Sequence, residues 1–257
     1  MDAQHIAQHL TTHTLGRPVQ HVAHTTSTND EVRTAATHGA AEGLVVVADH
    51  QTQGRGQHGR SWHDTPHAQL LASLLLRPSW LAPHALPCLV NAFVLTLADT
   101  LTPLVNAPVT LKWPNDILIA HRKVAGVLCE ARMTSQHLTT VCIGWGINVS
   151  AHPHHTVDGI DLAQHSTAVA PWAIAPIQRS DLLVHQLNAF EAVYDQLKLN
   201  PYAYQPRWHA AMRTIVGQTR TIQHGTTTIH GLVTALNDDG SIVIAGQTVH
   251  AGMIHVV

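Results

Sequence analysis

The stretch "LKWPNDILIAHRKVAG" (residues 111–126) holds two of the chain's three lysines, Lys112 and Lys123; the third is Lys198. "WPND" is a turn, with Pro114 fixing the backbone and Asn115 and Asp116 as turn residues. "HRK" (residues 121–123) makes a second turn, so three strands are joined by two tight connections. Lys112 and Lys123 are then expected on neighbouring strands of one hairpin, with their ammonium groups close. Two like charges repel unless an anion sits between them. The competing reading is a surface hairpin with solvated lysines, and the scarcity of lysine elsewhere counts against it.

Downstream, "VCIGWGINV" (residues 141–149) has the period of a strand. Cys142, Gly144, Gly146 and Asn148 fall on one face; Val141, Ile143, Trp145, Ile147 and Val149 fall on the other. One face is large and apolar, the other nearly bare. Glycine inside a strand often marks the close approach of a ligand or of another backbone, and Gly126 repeats the signal. Close packing of two elements explains the strand equally well when it is viewed alone.

Upstream, "QTQGRGQHGRSWHD" (residues 51–64) is a basic, glycine-punctuated loop. No G-x-x-x-x-G-K-[ST] occurs anywhere, and no helix pattern follows the loop as a dinucleotide fingerprint requires. By itself such a loop is weak support for anion binding. "STND" (residues 27–30) is a helix start. Ser27 and Thr28 are good caps, with Asp30 and Glu31 at capping-box spacing.

The rest of the chain supplies the frame. Residues 19–24, "GLVVVADHQ" and "HAQLLASLLLRP" read as strands, residues 82–103 as a core helix, and "IQRSDLLVHQLNAFEAVYDQLKLN" as an amphipathic helix. Residues 151–176, rich in His and Pro, read as loop. After a boundary near residue 210, short strands broken by Gly and Asn-Asp-Asp-Gly turns suggest a small all-β barrel. With 257 residues and 45% hydrophobic content, the chain can bury a large core. A net charge of −2 argues against a nucleic-acid binder. The segment around residues 86–101 is interrupted by Asn91 and Asp99, which favours a buried helix over a membrane span. Cys88, Cys129 and Cys142 lack C-x-x-C spacing and sit among apolar residues. They suggest free thiols in a reducing cytosol, and no signal peptide is visible, so a cytoplasmic protein is expected. "HPHH" (His152, His154, His155) has no carboxylate or Cys to complete a ligand set and reads as solvated loop.

Taken in order, "STND", "HQTQGRGQHGRSW", "KWPNDILIAHRKVAGVLCE" and "IGWGINV" resemble the biotin protein ligase family from about residue 20 to the C-terminus. The resemblance implies an α+β fold: a mixed-sheet catalytic domain of the biotin/lipoate ligase type (residues 1–209) with a small C-terminal SH3-like β-barrel (residues 210–257). It implies activation of biotin by ATP and Mg2+ to biotinyl-5′-adenylate, then transfer to one lysine of a biotin carboxyl carrier protein, the acetyl-CoA carboxylase subunit. It assigns Ser27, Thr28, Asn29 and Gln51 to the ureido ring of biotin. Arg55, Gly56 and Gln57 fall to the loop over biotin and the adenylate, with Arg55 and Lys123 catalytic. Lys123 lies between the biotin carboxylate and the α-phosphate, and Gly126 borders biotin. Arg60, Lys112, Asn115, Asp116, Gly144, Gly146 and Asn148 go to the nucleotide, with Asp116 the candidate Mg2+ ligand.

This chain departs from the family where many members repeat an arginine in the loop: it has Gln57. Some members also carry an N-terminal helix-turn-helix domain. The 26 residues before Ser27 are too few for one, so no DNA binding is expected. Membrane association is not expected, and a homodimer stays open. The rival readings are a lipoate or octanoate ligase of the same fold, and a non-catalytic module that senses biotin or docks a carrier.

Overall fold

A computed structural model of the chain describes residues 1–134, 137–157, 159–224, 227–250 and 255–256. In chain order the elements are α1 (Ala3–His9), β1 (Val19–Thr25), α2 (Thr28–Thr37), β2 (Val45–Gln51), β3 (Gln69–Leu76), α3 (Leu86–Leu101), β4 (Val109–Lys112), β5 (Asp116–Ile119), β6 (Arg122–Met133) and β7 (Leu138–Asn148). There follow β8 (Thr156–Val157), β9 (Ile160–Asp161), α4 (Leu162–His165), α5 (Arg179–Leu199) and α6 (Gln205–Met212). The last are β10 (Thr219–His224), β11 (Thr227–Leu236), β12 (Ile242–Ile244), β13 (Gln247–Val249) and β14 (His255–Val256). The β-branched and leucine runs gave the long strands from sequence. Helix α1 buries only Ile6, too little apolar surface to show as a periodic pattern. Short β8, β9 and α4 lie within the stretch expected to be loop.

Eight strands form one sheet in the order β1-β2-β3-β7-β6-β5-β4, with β14 beside β6. β1–β2 and β14–β6 are parallel and the other pairs antiparallel, so the sheet is mixed. Helices α3 and α5 cover the apolar face. There Trp145 meets Phe93 at a ring separation of 5.2 Å, and Phe93 meets Phe190 at 4.7 Å. By length and apolar content the helical stretch Pro83–Leu104 could cross a membrane, but most of it is buried in this core. The opposite face carries the glycines, and α2 packs on it.

The register corrects the expected lysine pair. Lys112 faces Asp116 across β4 and β5, while Lys123 on β6 faces Leu118. Asp116 begins a strand of its own, so β5 separates the two lysine-bearing strands. The turn at Ala120 and His121, both at positive φ, then starts β6.

The short strands expected after residue 210 are present as a separate antiparallel sheet. β10 to β13 make an open four-stranded antiparallel sheet, and no pairing of β10 with β13 closes it among the described residues. The chain instead leaves this sheet, and β14 joins β6 beside Glu130 and Ala131. Residues 251–254 and 257, part of the expected last strand, lie outside the described residues. The small sheet docks through its turn at Gly240, whose carbonyl accepts from Trp113 Nε1 at 2.9 Å. Gly240 has φ +82°, and a Cβ there would lie 2.7 Å from Asn91 Nδ2.

A buried carboxylate fixes the N-terminal segment. Glu191 on α5 accepts backbone N–H bonds from His13 (2.6 Å), Thr14 (2.7 Å) and Leu15 (2.8 Å). Glu191→Gln removes the charge and replaces one acceptor by a donor. Its expected cost is about 2 kcal/mol of unfolding free energy, measured by urea denaturation. A loss under about 0.5 kcal/mol would mean the segment is held by its apolar contacts alone.

Candidate active site

The start of α2, the end of β2 and the middle of β3 meet in a buried polar cluster. Ser27 precedes the helix, but its side chain makes no cap bond. The expected capping box is not formed, because its carboxylates are engaged elsewhere. Asp30 takes Arg55, and Glu31 accepts from Thr25 Oγ1 at 2.6 Å. Thr28 donates to Gln51 Oε1 from its backbone N (2.7 Å) and its hydroxyl (3.1 Å), so the sequence-assigned pair is brought together. Beneath them lies Ser73, whose Oγ is 2.7 Å from Thr28 Oγ1 and 2.5 Å from Asn29 Oδ1. The Asn29 amide donates in turn to Glu130 Oε2 at 2.8 Å.

Ser73 and Glu130 were not singled out in the sequence. Each is a polar residue flanked by apolar ones in a strand, "LLASLLL" and "GVLCEA". That is the only signal they give, and it gains meaning once the register places Ser73 beside Gly144 and Glu130 beside Cys142.

The bare face of β6 and β7 is filled by side chains of the protein itself. A Cβ on Gly144 would lie 2.2 Å from Asn29 Oδ1, and one on Gly146 would lie 2.5 Å from the Trp62 ring. A Cβ on Gly126 would lie 3.2 Å from both the Trp62 ring and Lys123 Nζ. Trp62 is held by its Nε1, which donates to Gln69 Oε1 at 3.0 Å. The Lys123 ammonium sits 5.4 Å from the Trp62 ring centre and 2.6 Å from Asp116 Oδ1. Asn148 donates to the Thr167 carbonyl at 3.0 Å, while its buried Oδ1 has no hydrogen-bond partner.

The glycine-rich loop closes on itself. Gly56 N donates to Arg60 O (2.7 Å) and Trp62 N donates to Gly54 O (2.8 Å). Gly54 is forced by this closure, since a Cβ would lie 2.6 Å from the Trp62 carbonyl. Gln57 opens a single 3-10 turn and is buried, with its Nε2 unpartnered. Arg55 forks onto Asp30 (2.7 and 2.8 Å) and reaches Glu130 at 3.3 Å. The Asp30 hydrogen bonds raise the already high affinity of this guanidinium for its proton, against the opposing effect of burial. The Arg55 hydrogen bond holds Asp30 below its ordinary 3.8, although burial pushes the other way. The stability this pair contributes is therefore full above 3.8 and fades as pH falls below it.

Arg60 and Lys112 are exposed cations at the rim. Asn115 is buried, its amide turned onto the Val127 carbonyl. Among the described residues no three His, Cys, Asp or Glu side chains cluster as a metal site. His152 bonds instead to Ser166 Oγ at 3.1 Å. The three cysteines are free and buried, and burial pushes the Cys88, Cys129 and Cys142 thiols above their ordinary value.

Comparison with known proteins shows the family to which the chain belongs. The profile of the Biotin/lipoate A/B protein ligase family matches residues 20–148. The chain is 30% identical over 239 residues to the biotin–[acetyl-CoA-carboxylase] ligase of Mycobacterium tuberculosis, covering 91% of this chain and 86% of that one. It is 29% identical over 240 residues to the ligase of the same name from Paracoccus denitrificans, covering 88% and 93%. In fold it is similar to the biotin protein ligase of Aquifex aeolicus solved with biotin and ATP. That match has a TM-score of 0.72 and 22% identity over 92% of this chain and 97% of the other. The chain belongs to the biotin/lipoate A/B protein ligase family, alongside the biotin–[acetyl-CoA-carboxylase] ligases.

Proposed function

We propose that the chain joins biotin to ATP as biotinyl-5′-adenylate and then passes the biotinyl group to one lysine of a biotin carboxyl carrier protein. The observation that supports this most is the Lys123 ammonium. It is held between Asp116 and the Trp62 ring, on the face that also carries Asn29. A carboxylate attacking a phosphate needs a cation where two anions meet, and neutral donors and acceptors beside it suit a ureido ring.

In the first step a biotin carboxylate oxygen bonds to the α-phosphorus and pyrophosphate leaves. In the second, the carrier amine bonds to the acyl carbon, AMP leaves and the amine loses a proton. Thr28, Asn29 and Gln51 orient the ureido ring, with Ser27 beside them. Lys123 exchanges Asp116 for the reacting anions. Gly126 leaves room for Lys123, and Gly144 and Gly146 serve by seating Asn29 and Trp62. Lys112, Asn115, Arg60 and Asn148 border the nucleotide. The loop with Gly56 and Gln57 keeps water from the mixed anhydride. Asp116 fits magnesium, since this cation accepts one carboxylate together with waters and substrate phosphates. Bound there, it would offset charge on the leaving pyrophosphate.

The C-terminal sheet is read as the family's small SH3-like unit, starting near residue 210. The protein is read as cytoplasmic and as binding neither membrane nor, at a net charge of −2, operator DNA. The test is a mass spectrum of a carrier domain after incubation with the protein, biotin and ATP. One added biotinyl group is expected. Lipoate competing equally with biotin would favour the lipoate reading, and no pyrophosphate release would favour a non-catalytic module.

Gln57 offers a buried neutral amide where many relatives carry arginine. Gln57→Arg is expected to slow dissociation of the adenylate about tenfold, as one charge-assisted hydrogen bond allows. Dissociation of labelled adenylate from the two proteins measures it. Equal rates would mean the loop holds its ligand through backbone alone.

A further inference from the structure

We infer that Glu130 is a positioning residue that ties the glycine-rich loop to the asparagine of the biotin pocket, so that the loop and Asn29 are set by one carboxylate. The inference rests on the proposed biotin chemistry for its kinetic part only. Glu130 lies in the middle of the sheet, on the α2 face, and is 7% exposed. Its Oε2 receives two donors, Asn29 Nδ2 at 2.8 Å and Arg55 Nη2 at 3.3 Å. Its Oε1 receives Arg33 Nη1 at 3.2 Å. One oxygen therefore touches both the loop and the pocket floor.

The surrounding charges close on themselves. Glu130 and Asp30 face Arg33 and Arg55, two anions against two cations. Asp30 holds the loop arginine from the helix side and is itself partly exposed, whereas Glu130 alone extends the contact to Asn29. The carboxylate also decides which way the Asn29 amide points. Glu130 can only accept, so Asn29 must turn its NH2 toward it. The Asn29 Oδ1 is left for Ser73, with which it makes a 2.5 Å bond.

Glu130→Gln separates the two duties. The glutamine oxygen can still accept from Asn29, but its NH2 then confronts the guanidinium donors. It cannot serve both, so either the loop or the asparagine loses its partner. With biotin-dependent pyrophosphate exchange as the assay, the expected result is a rise of about tenfold in KM for biotin, one lost charged contact, with KM for ATP within about twofold. Without any ligand, trypsin should cut the variant faster at Arg55 and Arg60 than the wild type. Glu130→Asp keeps the charge and should fall between the two, and it carries the test if the glutamine variant does not fold. Glu191→Gln, which loosens the chain far from the loop, is the control.

The inference is overturned if both Michaelis constants rise together as in the control, or if the loop is cut no faster than in wild type. If the wild type itself shows no biotin-dependent exchange, the biotin reading fails. The tryptic comparison then still decides whether Glu130 holds the loop.

Discussion

Replacing Lys123 by alanine is expected to cut biotin-dependent pyrophosphate exchange by about 10²–10³-fold while leaving the fold intact. The side chain is partly exposed and makes one ion pair, with Asp116 at 2.6 Å. Its removal costs little stability for that reason. The chemical step loses more, because alanine leaves the Asp116 carboxylate without its cation beside two incoming anions. Lys123 is needed most where the anions meet, so kcat should fall further than biotin affinity. Exchange kinetics and a biotin titration, measured on the same sample, separate the two. Exchange at the wild-type rate would remove Lys123 from the mechanism.

Gly144→Ala is expected to have the next largest effect, and it acts on binding and stability together. The new Cβ would stand 2.2 Å from Asn29 Oδ1, inside the normal contact distance. Asn29 cannot yield easily, being 3% exposed and bonded to Ser73 and Glu130. If it swings out, two buried hydrogen bonds break. If it stays, the strands part. Either route costs about 1–3 kcal/mol, and the same displacement should weaken biotin binding by about tenfold to a hundredfold. Calorimetric titration and urea denaturation check both. A variant binding biotin as tightly as wild type would show that Asn29 is not a pocket residue.

The sequence showed the strands and the bare face of β7 because these follow from a period of two. That Thr28 and Gln51 belong to one site was implied by the family resemblance alone, since 23 residues separate them. What fills the bare face was not legible. Trp62 reaches Gly126 and Gly146 from a loop, and Asn29 reaches Gly144 from a helix, so tertiary packing alone sets both contacts. Glu130 and Ser73 were hidden for the same reason, as was the ion pair by which Asp116, read from sequence as a turn residue, holds Lys123. The resemblance named the residues of the loop but not their partners, and Arg55 turns out to be bonded to the helix and sheet behind it. The open form of the C-terminal sheet depends on where the last strand goes, which alternation cannot show.

The bond from Trp113 to the Gly240 carbonyl has a consequence for how the protein is made. The "WPND" turn precedes Gly240 by more than a hundred residues, and the chain emerges from the ribosome at about 5–20 residues per second. For several seconds the hairpin bearing Asp116 exists without the support on which Trp113 rests. Glu191 likewise comes late for the N–H groups of residues 13–15, and β14 later still for β6. The long strands can pair early, but the finished site belongs to the end of synthesis. A nascent chain halted before Gly240 holds the residues of the site without the frame that positions them.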